Sequence, residues 1–151
     1  MKRWLAWVVC CAVLVGLTGE STAQFARTED AIKYRQSVMF LIGQHFGRIA
    51  AVVQGREAYD KASLENNAVL VATFAQLPWD AFMVPGSDSG TAMRSAALTD
   101  QAGFKTAGER SGDEIEKLAR VAADGDLDAI RAQFGAVGQS CKACHDAYRG
   151  R

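Results

Sequence analysis

The sequence predicts an all-α protein, an antiparallel four-helix bundle, and three observations lead there. Apolar residues recur at helical spacing in four separate segments, and no run alternates apolar and polar residues long enough to form a sheet. Only two prolines interrupt 151 residues, and two of the joints between segments are short. At 16.2 kDa the chain is one domain's worth of material, long enough to bury a core without a disulfide scaffold.

The first 23 residues stand apart. Lys2 and Arg3 precede an apolar run from Trp4 to Leu17, and Ser21-Thr22-Ala23 closes it with small residues. That order describes a cleaved secretory signal, and the run falls short of the roughly 20 residues needed to span a bilayer. Cys10 follows Val9, not the small residue a lipoprotein signal places before its cysteine. Cleavage after Ala23 leaves a domain of residues 24–151 that keeps two of the four cysteines. The precursor balances 17 basic against 17 acidic residues; losing Lys2, Arg3 and Glu20 leaves 15 against 16. Neither balance supplies the basic surface that nucleic acid requires, and after cleavage no membrane segment is expected.

The first helix opens at Thr28-Glu29-Asp30, with Thr28 as cap and two acids in the first turn. Ile32, Met39, Phe46 and Val53 then recur every seven residues, with Ile42 and Ile49 between them. A second stripe of Val38, Leu41, His45 and Val52 gives this helix a face for a partner subunit besides the core. The second helix runs from Lys61 to Leu77 with Leu64, Ala68, Val71 and Ala75 on one face, and Pro78 ends it. The longest connection follows, Trp79 to Thr91, with Gly86-Ser87-Asp88-Ser89-Gly90 inside it. The third helix, about Asp100 to Ala123, aligns Phe104, Ala107, Ser111, Ile115, Leu118 and Ala122. Gly103, Gly108 and Gly112 weaken it by roughly 1 kcal/mol each against alanine, which fits either a close approach by another body or a poorly optimised helix. Asp124-Gly125 is a tight turn into the fourth helix, Asp126 to about Tyr148.

Near the C-terminus stands Cys141-Lys142-Ala143-Cys144-His145, the C-x-x-C-H pattern of covalent c-type haem attachment. Two thiols add across the two vinyl groups of one haem, and the adjacent imidazole supplies a nitrogen to the iron. On a helix, positions i, i+3 and i+4 share a face. Register supports the same reading: Leu127, Phe134, Cys141 and Tyr148 form a seven-residue series with Ile130, Val137 and Cys144 between them. The cysteines thus continue the core seam, where a flat apolar ring gains most from leaving water. Other readings fit less well. A redox dithiol opens a helix after a strand, a zinc site from Cys141, Cys144, His145 and His45 strains one tetrahedron, and a Cys141–Cys144 disulfide closes too small a loop to stabilise much.

Taken together, Gln24-Phe25-Ala26, Tyr34-Arg35-Gln36-Ser37, His45-Phe46-Gly47-Arg48, Leu77-Pro78-Trp79 and the run from Cys141 to Arg149 resemble the cytochrome c′ family. The resemblance spans the whole of residues 24–151. It implies a homodimer with one haem c per subunit and His145 as the only protein ligand to iron. It further implies that Arg35 and Gln36 contact the haem propionates, and that Met39 lies over the open iron face. Trp79, Phe82 and Phe104 would pack near the ring, and Arg149 would lie on the His145 side. A guanidinium at Arg35 suits charge-assisted bonds to carboxylates.

Two functions follow from that resemblance. An open, five-coordinate iron binds nitric oxide or carbon monoxide. Alternatively, Met39 supplies a sixth ligand and gives a low-spin electron carrier, since many relatives carry leucine there and leucine cannot ligate. As a simple pliable core residue, Met39 leaves the site open. His45 lies six residues beyond it, turned by about 120° and raised by about 9 Å, which favours a partner-facing or surface role. No nucleotide-binding or serine-hydrolase motif and no acid–base pair marks an enzyme. The expectation is a periplasmic gas-binding or electron-carrying protein with a redox partner that the sequence does not name.

Overall fold

The computed structural model describes residues 24–150, so the expected signal sequence lies outside the described residues. Among the described residues six helices appear in order: α1 Thr28–Val53, α2 Lys61–Ala75, α3 Trp79–Phe82, α4 Ala96–Thr99, α5 Gln101–Asp124 and α6 Leu127–Tyr148. Four are long, and α1 packs on α2, α2 on α5, α5 on α6 and α6 back on α1. Their directions alternate. Arg131, early in α6, donates to the Val53 carbonyl at the end of α1, and the Tyr59 hydroxyl before α2 donates to the Gly125 carbonyl after α5. The result is the expected antiparallel four-helix bundle.

Side-chain caps explain three of the starts. Asp60 accepts from the Ser63 amide, Asp100 from Gly103, and Asp126 from Asp128 and Ala129, each satisfying amides that lack an intrahelical partner. The start of α1 corrects the expectation: Arg27 occupies the cap position, Thr28 is already helical, and no side chain caps the end. Arg27 instead pairs with Asp30 at 2.8 Å. The second helix stops two residues earlier than its apolar pattern predicts, at Ala75, because Leu77 faces water and buried Pro78 is the cap residue of α3.

The core follows the seams. Ile49, Leu64, Ala68, Val71, Ala75, Ile115, Leu118, Ala122, Ile130 and Val137 form one buried cluster, with Phe46, Phe134 and Cys141 packed against it. Each large aliphatic member contributes about 1.5–3 kcal/mol by leaving water. The Phe46 and Phe134 rings stack at 4.2 Å and hold α1 to α6 below the cysteines. The connection between α2 and α5 is more ordered than its composition implies, carrying the single turns α3 and α4. Gly86 and Gly90 take φ of 75° and 67° there, a backbone that side chains with a Cβ rarely adopt.

The glycines of α5 have different reasons. A Cβ on Gly108 would lie 2.5 Å from the Trp79 ring, and one on Gly103 would collide with Asp100 and Tyr148. Gly112 is another matter, since a Cβ there would have nothing within 4 Å.

Candidate functional site

A cavity of about 580 Å³ opens between α1, α3, α5 and α6, within the range of cofactor sites. All ten residues expected at the site line it: Arg35, Gln36, Met39, Trp79, Phe82, Phe104, Cys141, Cys144, His145 and Arg149. The arrangement follows from helix geometry. Cys141, Cys144 and His145 leave one face of the last turns of α6, and Arg35, Gln36 and Met39 leave the facing side of the first half of α1.

An aromatic wall closes one side. Trp79 and Phe82 lie 6.0 Å apart, Phe82 and Phe104 5.3 Å, and Phe104 and Tyr148 5.2 Å, the last three rings meeting edge to face. The Trp79 indole N–H donates to the Ala75 carbonyl at 2.8 Å, which fixes the ring while α5 supplies Gly108 for it to rest on.

Arg35 differs from an ordinary helix arginine: it is 3% exposed. It donates to the Ala81 carbonyl at 3.2 Å, to Ser87 Oγ at 2.7 Å and to Thr91 Oγ1 at 3.2 Å, and stands 5.3 Å over the Phe82 ring. Every one of these partners is neutral. Burial pushes its pKa down, with Asp88 opposing the shift from a distance. A buried cation bonded only to neutral groups, beside an apolar cavity, fits a ligand that brings negative charge.

The thiols of Cys141 and Cys144 are free and half-buried, and burial pushes both pKa values up. That is the reverse of the shift that activates a redox dithiol. His45 is absent from the cavity. It turns to α2 instead, its Nδ1–H donating to Asn67 Oδ1 at 2.8 Å, with Asn67 anchored to the Ser63 carbonyl. That contact leaves His45 part-exposed outside the cavity and removes the fourth group from the zinc reading. Among the described residues no cluster of three or more His, Cys, Asp or Glu is placed to hold a metal ion. His145 sits at the rim, where partial burial and the charge of Arg149 hold its imidazole below the usual range, Asp146 opposing.

Several cavity residues carried no signal in the sequence. Thr91, Ala92 and Met93 line it from the connection, outside any helical period. The Arg94 amide donates to the Tyr148 carbonyl and the Gly150 amide to the Ala92 carbonyl, so the chain end is paired across Met93 and Arg149. Arg94 also reaches the Asp146 carbonyl at 3.1 Å, covering the open end of α6. A covalently anchored haem fits these residues: two thiols and an imidazole on one face, an apolar box, and a buried cation for its carboxylates.

The family model described as cytochrome c′ matches residues 30–149. A cytochrome c′ from Alcaligenes xylosoxydans xylosoxydans is 50% identical over 126 residues, covering 83% of this chain and 98% of the relative. A nitric oxide complex of a leucine-to-alanine variant of the Alcaligenes xylosoxidans protein superposes with a TM-score of 0.79 at 48% identity, over 85% of this chain and 99% of that one. A carbon monoxide-bound leucine-to-glycine variant of the same protein also gives 0.79 at 48%, over 85% and 100%.

Proposed function

This chain belongs to the cytochrome c′ family, and from that premise we propose that it is an exported, periplasmic cytochrome with an open iron site that binds nitric oxide and carbon monoxide or carries electrons. The cofactor is covalently held c-type haem, whose iron supplies a site for a diatomic gas and a one-electron couple.

The carrying observation is the single cavity that gathers Cys141, Cys144 and His145 opposite Met39 while His45 is bound to Asn67 outside it. Cys141 and Cys144 would hold the haem covalently, and His145 would offer its imidazole to the iron. Arg35 and Gln36 would hold the propionates, Trp79, Phe82 and Phe104 would keep water from the ring, and Arg149 lies beside His145. No carboxylate lines the cavity among the described residues, which supports a binding protein over an acid–base catalyst. Cleavage after Ala23 agrees with a family match that begins at residue 30. The relatives bound to nitric oxide and carbon monoxide support those two ligands for this chain.

Met39 favours a second reading, in which its thioether becomes a sixth ligand and leaves a low-spin electron carrier. An optical spectrum of the reduced, ligand-free protein separates the two. High-spin bands are expected for the open site. Sharp low-spin bands that disappear in Met39→Leu would overturn the gas-binding reading.

A further inference from the structure

Behind the aromatic wall lies a second concavity of about 530 Å³, between α2, α3 and α5. Trp79 and Phe104 line both, so one layer of side chains separates this groove from the cofactor cavity. Its floor is apolar, and its rim carries the exposed carboxylates of Asp80, Glu109, Asp113 and Glu116 against the single cation Lys105. Lys105 pairs with Glu109, and Glu116 stands 3.8 Å from Arg120, with both pairs largely in water where they are screened. Gly112 lines the groove with open space beyond it, since a Cβ there would have nothing within 4 Å. A helix-weakening residue with no packing reason of its own leaves room for a group from outside.

We propose that this groove docks a redox protein presenting a lysine- or arginine-rich face, one of whose basic side chains enters over Gly112 and Trp79. This rests on the electron-carrying part of the function proposed above. Charge complementarity names the occupant: a negative rim around an apolar floor attracts a cation with a long aliphatic stem, and an aromatic face adds to that attraction. Position gives it a use, since a partner seated here is one indole away from the cofactor. One electron leaves the partner, which is oxidised, and reaches this chain, which is reduced; no covalent bond changes.

The test is an amide-shift titration of the ¹⁵N-labelled, haem-loaded protein with a small, lysine-rich cytochrome c as probe, at low and high salt. Saturable shifts are expected at Gln76, Asp80, Lys105, Gly112 and Glu116, fading in high salt. Combining Asp80→Asn, Asp113→Asn and Glu116→Gln should weaken binding at least tenfold. Gly112→Leu, which fills the groove, should do the same with an unchanged spectrum of the carbon monoxide adduct. Shifts confined to another face, equal affinity in the charge variant, or groove shifts that follow this protein's own concentration and so mark a second copy, would each overturn the proposal. Stopped-flow electron exchange with the same probe tells the two ideas apart. No exchange from a docked wild type sinks the electron-carrying reading alone, whereas exchange unchanged in the variants sinks the groove alone.

Discussion

Gly108 shows how one missing carbon shapes the site. The Trp79 ring occupies the place of its Cβ at 2.5 Å, and both ring and backbone are held, the indole by its bond to Ala75. Gly108→Ala removes a poor helix former, yet the overpacking outweighs that gain, so a net loss of about 1–3 kcal/mol is expected in chemical denaturation, with a changed Trp79 fluorescence. The role proposed for the cysteines is covalent instead. Replacing Cys141 and Cys144 together with alanine should leave a folded bundle without covalent haem, read as loss of colour after denaturing electrophoresis. Retained colour would refute thioether anchoring. Arg35 has two tasks. The family resemblance implies a propionate contact, whereas its burial and four bonds into residues 81–91 also make it the pin of the connection.

Among the elements, α6 carries the C-x-x-C-H residues and its two ends are secured differently. Asp126 caps the start by accepting from two amides, at 2.9 and 3.3 Å. Asp126→Ala should destabilise the protein by about 1 kcal/mol, seen as a lower denaturation midpoint with the slope unchanged. The far end has no glycine stop. It is closed by the Arg94 guanidinium, by pairing of residues 92–94 with 148–150, and by Tyr148, whose hydroxyl donates to Asp100 at 2.8 Å. The C-x-x-C-H turns are therefore held by a loop on one side and by the cap residue of α5 on the other. The helix supplies the spacing of the three groups, and the connection supplies their rigidity.

For the molecule as a whole, the outward face of α1 is the notable surface. Phe40 is 64% exposed and Leu41 37%, and Gly43 and Gly47 are open beside them. A family resemblance that implies a homodimer makes this the expected contact between copies. Leu41→Glu should give monomers by light scattering, with an unchanged absorption spectrum; an unchanged mass would place the interface elsewhere. The second stripe expected on α1 contributes less than its spacing implied, because Val38 is buried and His45 turns inward to Asn67. The sequence by itself determined the four long helices, the core seams and the three groups of the haem motif. Each follows from periodicity or from local spacing along one helix, where neighbours at i+3 and i+4 meet whatever the rest of the chain does. It determined, through residue-by-residue likeness, which side chains would converge on one cavity. Tertiary structure alone decided the tasks of Thr91, Met93 and Arg94, the inward turn of His45, the burial of Arg35 and the groove behind Trp79. These depend on how a 25-residue connection between Ala75 and Gln101 folds back across the bundle, and no period along the chain encodes that path.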